Sequence, residues 1–189
     1  MAHKLADELL KEILAPPLRV RDALFNDVSR VSPFSKAQQS ASDVLLVCKR
    51  WMRVGTPALY ESVVIRSKAQ AAALSTALTR NAEFGRFTRK LRLEGTYAQY
   101  LNSTVISTMP NIVELCIPIG MMAADKPNDL QALLERTAPH IQKLLLVNYR
   151  GSRQNSTRTK LIEKIATTVG KSKSLVRVFC HDSLLTPSD

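Results

Sequence analysis

Six side chains of this 189-residue chain could ligate a metal or act as nucleophile or base in the usual pairings: Cys48, Cys116, Cys180, His3, His140 and His181. A structural zinc site needs four such ligands in closely spaced pairs. The cysteines are odd in number and widely spaced, and the histidines do not cluster with them at ligand spacing. No metal site is expected. Each cysteine sits in an apolar setting (Val47-Cys48, Leu115-Cys116-Ile117, Phe179-Cys180), which suits buried free thiols in a reducing compartment. Lys49 and Arg50 beside Cys48 could lower a thiol pKa, but nothing near it in sequence supplies a catalytic base, so Cys48 reads as packing. Gly170-Lys171-Ser172 lacks the upstream glycine of a Walker-type phosphate loop and reads as a helix-ending turn. The chain has no His-Glu metal motif and no serine elbow. These features describe a protein that is not an enzyme and takes no cofactor.

Charge offers more. The chain carries 27 Lys and Arg against 16 Asp and Glu, a formal net charge of +11. Nine of the bases (Lys143, Arg150, Arg153, Arg158, Lys160, Lys164, Lys171, Lys173 and Arg177) share one stretch with a single acid, Glu163, a local +8. Such a patch can attract nucleic acid, acidic lipid or an acidic protein, and it can equally be a solvated face. Aromatic residues are 5% of the chain, and Tyr149 is the one aromatic among these bases, so stacking platforms for nucleotide bases are few. Nucleic acid is not the expected partner. No apolar run approaches bilayer length and the Met-Ala-His-Lys start is no signal peptide, so an intracellular protein of cytoplasm or nucleus, without a membrane partner, is expected.

The elements that must position these side chains follow from apolar spacing. Leu5, Leu9, Leu10, Ile13 and Leu14 predict a short amphipathic helix over residues 5–14, ended by Pro16-Pro17. A second helix is expected over 21–31, stopped by Ser32-Pro33, after which 34–42 is rich in Ser, Gln, Lys and Ala. A third helical segment begins at Asp43, capped by Ser42 or Asp43, and runs through Trp51 to a C-cap at Gly55-Thr56-Pro57. Ala58-Leu59-Tyr60 then leads into a strand at Ser62-Val63-Val64-Ile65.

Beyond residue 60, β-like runs (63–65, 90–93, 113–117, 143–147 and 176–180) alternate with helix-like stretches (69–78, 97–108, 130–137 and 159–169). Units of this length suit either a doubly wound parallel sheet or a leucine-rich-repeat solenoid. A shared phrase favours the solenoid: Pro110-Asn111-Ile112-Val113-Glu114-Leu115 and Pro139-His140-Ile141-Gln142-Lys143-Leu144 lead into their strands alike.

Three pieces in order, Leu5 to Leu14, Leu46-Val47-Cys48-Lys49-Arg50-Trp51, and Ala58-Leu59-Tyr60-Glu61-Ser62-Val63, resemble an F-box. Ala6 stands where that family usually has Pro, and the segment from about 15 to 41 is expanded, as in fungal members. The resemblance implies an α/β chain: an F-box helical module over 1–60 with that expanded loop, then a short leucine-rich-repeat-like solenoid of parallel strands over 61–189. It further implies binding to the Skp-type adaptor of a cullin-RING ubiquitin ligase through Leu5, Leu9, Leu10, Ile13, Val47, Cys48 and Trp51, with a protein substrate on the repeats. A ten-residue helix is not stable alone, so its apolar stripe must be buried against the module or a partner. Residue by residue both readings stay open: Leu9, Ile13 and Val47 can be the module's own core, and Trp51 can seal the joint to the repeats. Lys49, Arg50 and Arg53 can be a solvated face or a rim against an acidic adaptor.

Tyr149, Arg150, Arg153 and Arg158 are candidates to receive an acidic or phosphorylated substrate segment. The alternatives are a basic nucleic-acid-binding protein, or a truncated regulator that occupies the adaptor without ligase assembly. The second follows from the chain stopping at Thr186-Pro187-Ser188-Asp189 soon after a strand-like run, where a repeat array needs a cap that only Leu184-Leu185 could supply.

Overall fold

The computed structural model describes residues 5–29, 31–35, 41–95, 97, 101, 103–120, 128–148 and 155–180. Its centre is a five-stranded sheet of β1 (Ser62–Ile65), β2 (Lys90–Leu93), β3 (Glu114–Pro118), β4 (Lys143–Val147) and β5 (Arg177–Cys180). Every strand lies beside the next in sequence, and every pair is parallel. The order never reverses, as it would in a doubly wound sheet.

The approaches to β3, β4 and β5 are made the same way. The N–H groups of Val113 and Glu114 both donate to the Arg89 carbonyl, those of Gln142 and Lys143 to Val113, and those of Val176 and Arg177 to Gln142. The shared phrase before β3 and β4 therefore marks equivalent positions, with Ile112 and Ile141 buried in both.

Side chains alternate across the pleat. Val63, Ile65, Leu91, Leu93, Leu115, Ile117, Leu144 and Leu146 face one way, into a core shared with α4 (Lys68–Arg80), α5 (Ser103–Ser107), α6 (Asn128–Thr137) and α7 (Ser156–Lys171). α4 is Ala-rich and starts at Ser67, whose hydroxyl accepts the Gln70 N–H; α7 starts at Asn155, whose side chain accepts the Arg158 N–H. The second 3-10 helix, Ala82–Phe87, leads into β2.

The N-terminal module packs α1 (Asp7–Leu18) against α3 (Lys49–Glu61) and a first 3-10 helix, Ala41–Leu46. Leu10, Leu14, Leu18, Leu45 and Ala58 form its core, with Leu5, Trp51, Val54 and Leu59 against it. Burying each such leucine contributes roughly 1.5–3 kcal/mol. α3 runs directly into β1, so module and sheet share a backbone joint.

Several local expectations are corrected. Pro16-Pro17 does not end α1, which continues to Leu18 because Leu14, Ala15 and Leu18 stay buried while both prolines are exposed. The carbonyls that lose their donors belong to Glu12 and Ile13, on the solvent side, where water can replace them. In place of a helix over 21–31 there is one turn, α2 (Asp22–Phe25), and residues 26–29 and 31 are not helical. The third segment is broken: the 3-10 helix ends at Leu46, Cys48 is extended with φ −164° and ψ 165°, and α3 starts at Lys49. Gly55-Thr56-Pro57 lies inside α3 and does not cap it. Gly55 is needed for close packing, since a Cβ there would stand 2.4 Å from Leu45 Cδ2 and 2.9 Å from Leu18 Cδ1. Of the thiols expected to be buried, Cys116 is buried, Cys180 is half-buried and Cys48 is exposed.

The opposite face of the sheet is crossed by a strap made of residues 20–29 and 31–34. Phe25 is fully buried there with Cys116, Leu145 and Val147, and Val20 and Val28 pack alongside. Asp22 pairs with Lys90, and Lys143 Nζ reaches both Asn26 (3.3 Å) and Glu114 (2.9 Å).

Candidate functional site

α1 is apolar on more than one side. Leu10, Leu14 and Leu18 point into the module, but Leu9 and Ile13, one turn apart, are 56% and 57% exposed. The same holds at the other end of the module's core. Leu45 is buried, while Leu46, Val47 and Met52 are exposed, Val47 by 63%. The break between the 3-10 helix and α3 is what turns Val47 and Cys48 outward: with Cys48 extended, the pattern read as one continuous helical face does not continue through it.

Polar contacts fix this framework. Asp7, in the first turn of α1, takes hydrogen bonds from Arg50 (2.8 Å) and Arg53 (2.6 Å) of α3, and Arg50 also donates to the Leu5 carbonyl. These bonds from Arg50, then Arg53, hold the Asp7 carboxyl below the ordinary carboxylate range. At the far end of α1, Arg19 pairs with Glu61 at 2.7 Å. The exposed apolar side chains of α1 are thus carried on a helix pinned near both ends.

Of the seven residues picked for adaptor binding, Leu10 is core, Leu5 and Trp51 lie half-buried against that core, and Leu9, Ile13, Val47 and Cys48 are exposed. Trp51 packs against the module core and does not seal a joint to the sheet. Leu46 and Met52 join the exposed set, and their placement beside Val47 and Trp51 in sequence is the signal that points to them.

The basic stretch is partly visible. Tyr149, Arg150 and Arg153 lie outside the described residues, so their grouping with Arg158 as a substrate surface rests on sequence alone. Arg158 is half-buried in the first turn of α7. Near the other end of α7, Lys164, Lys171 and Lys173 line an open groove of about 470 Å³ with Pro139 and Thr168, and Lys164 pairs with Glu135. Gly170-Lys171-Ser172 closes the helix, Ser172 donating its N–H to the Thr168 and Val169 carbonyls.

His140 is exposed, and among the described residues no group of three His, Cys, Asp or Glu could hold a metal ion. Burial pushes the Cys116 thiol up to about 12, the state of an inert core sulfur. Among the described residues no helix is long and apolar enough to cross a membrane. Compared with family models, curated proteins and solved structures, the chain matches none.

Proposed function

We propose that the chain is an F-box-type receptor: its N-terminal module docks on a Skp-type adaptor of a cullin-RING ubiquitin ligase, and the strand-helix units carry a protein substrate. One observation carries this reading, the exposure of Leu9 and Ile13 on a helix whose remaining apolar side chains are already consumed by the module's own core. Two large aliphatic side chains one turn apart, on a helix tied to α3 through Asp7 and Arg19, suit the helix-and-groove mode of recognition. The resemblance in sequence supplies the adaptor's identity, and the repeated approach to β3, β4 and β5 supports stacked units of leucine-rich-repeat type.

Co-elution with a purified Skp-type adaptor tests the reading. The chain is expected to form a one-to-one complex that Leu9→Asp and Ile13→Asp each abolish while leaving circular dichroism unchanged. Leu10→Asp serves as the contrast, because it places a charge in the module core and unfolds it. If both exposed-site variants fold and still co-elute, or if the parent never binds, the docking assignment is wrong.

A further inference from the structure

We infer that Ser32 is a phosphorylation site, and that its modification lifts the Ser32–Ser35 turn of the strap off the sheet. The inference stands independently of the adaptor reading. Ser32 precedes Pro33 in a partly exposed turn closed by the Ser35 N–H on the Ser32 carbonyl at 3.0 Å. A serine followed by proline is the acceptor pattern of proline-directed protein kinases. The Ser32 hydroxyl also accepts the Phe34 N–H at 3.0 Å, so it shapes the turn it sits in.

What that hydroxyl faces makes the site a switch. Its proton points to the Glu94 carboxylate, with both carboxylate oxygens 2.7 Å from Oγ. The Glu94 side chain is only 6% exposed and receives Arg92 Nε at 2.9 Å. Arg92 is fully buried, with Nη1 on the Phe25 carbonyl, Nη2 on the Asp27 carbonyl and the Phe34 ring 5.5 Å from its guanidinium carbon. All three guanidinium nitrogens are therefore engaged, in a fork aimed at the strap backbone and Glu94.

In the modification, Ser32 Oγ attacks the γ-phosphorus of ATP bound to the kinase. An O–P bond forms, the bond from the γ-phosphorus to the β,γ-bridging oxygen breaks, ADP leaves and the hydroxyl proton passes to the kinase's base. The product has lost the one proton that joined Ser32 to Glu94 and carries about −1.5 to −2 charge at neutral pH. It meets a carboxylate shielded from water, where like charges repel most strongly. The turn moves away and takes Phe34 from its place over Arg92. Phe25 and Asp27 keep their hold on the guanidinium, so the opening is confined to the C-terminal end of the strap.

The test uses the full chain, a proline-directed kinase with MgATP, and chymotrypsin as the probe of Phe34. Phosphate is expected on Ser32 of the folded protein. Cleavage after Phe34 and amide exchange at residues 34–35 are then expected to rise at least tenfold, while exchange in β2 to β4 stays as it was. Ser32→Ala removes labelling at that position. Glu94→Gln keeps an acceptor for the hydroxyl but removes the charge, so phosphate on that variant should raise cleavage several-fold less. Phosphate on Ser32 that leaves Phe34 protected, or protects it further, overturns the inference. Labelling of Ser32 only after denaturation overturns it as well.

Discussion

Arg92 on β2 donates from Nη1 to the carbonyl of Phe25, 67 residues earlier in the chain, at 2.5 Å. With Nη2 on the Asp27 carbonyl and Nε on Glu94, one side chain satisfies two backbone acceptors and a shielded carboxylate. Removing the cation leaves all three without it. Arg92→Leu is expected to destabilise by about 3–5 kcal/mol, the range for breaking one partner of a buried pair. For a domain of this size that is a fall of roughly 10 °C in Tm, read by calorimetry. A loss under about 1 kcal/mol would mean the strap does not depend on this contact.

Two glycines have opposite expectations. A Cβ at Gly85 would stand 2.4 Å from the Thr108 carbonyl oxygen and 2.8 Å from its carbon, and backbone cannot step aside as a side chain can. Gly85→Ala should cost about 1–3 kcal/mol. Gly170, within α7, has nothing within 4 Å of such a Cβ. Gly170→Ala should stabilise by about 0.5 kcal/mol, because it lowers the freedom of the unfolded chain without strain in the folded one. Urea midpoints at constant slope measure both.

Acid should loosen the module and strap together. Asp7, bonded by Arg50 and Arg53, Asp22, bonded by Lys90, and Asp27, bonded by Ser29, all hold carboxyl pKa values below the usual range. A carboxyl lowered by folding contributes fully above its unfolded pKa, about 3.9, and loses that contribution as pH falls through the folded value. Lys90 runs the other way. Burial opposes its charge, but bonds to Asp22 and Glu114 prevail and raise its pKa, so its contribution fades only as pH climbs past about 10.4. Thermal midpoints should hold level from about pH 5 to pH 9 and drop below about pH 4. In Asp22→Asn the acid fall should be shallower; an unchanged slope would remove Asp22 from the account.

The thiols should separate by accessibility. An aromatic disulfide reagent at pH 8 is expected to titrate exposed Cys48 quickly and half-buried Cys180 more slowly. Cys116, with its thiol pushed up to about 12 by burial, should react only on unfolding. Mass mapping of the adducts decides the order, and early modification of Cys116 would show that the strap opens readily.

Much of the sheet was legible because strands made of β-branched and aliphatic runs declare themselves. The ranges 90–93 and 143–147 match β2 and β4, and the shared Pro-polar-Ile phrase marked equivalent positions before β3 and β4. The prolines misled. Pro16, Pro17 and Pro57 each remove a donor, yet burial of Leu14, Leu18 and Ala58 carries the helix past them. The outward turn at Cys48 was hidden because Val44 to Trp51 has helical apolar spacing throughout, while the break depends on Leu45 and Gly55 meeting in space. The strap was invisible for a different reason. In Leu91-Arg92-Leu93 the arginine occupies the solvent phase of an alternating strand, and its partners are backbone carbonyls, which no side-chain pattern encodes.

A sheet whose strands touch only their sequence neighbours would ordinarily come apart from its ends, one unit at a time. The strap changes that by tying Asp22, Phe25 and Asn26 across β2, β3 and β4 at once. Those three strands cannot separate without also shedding Phe25, so they gain a common melting fate. Among the described residues none of these ties reaches β5, which is left as the first to fray. The same long-range ties raise contact order, so the strap's docking should follow sheet assembly in folding and set its slowest step.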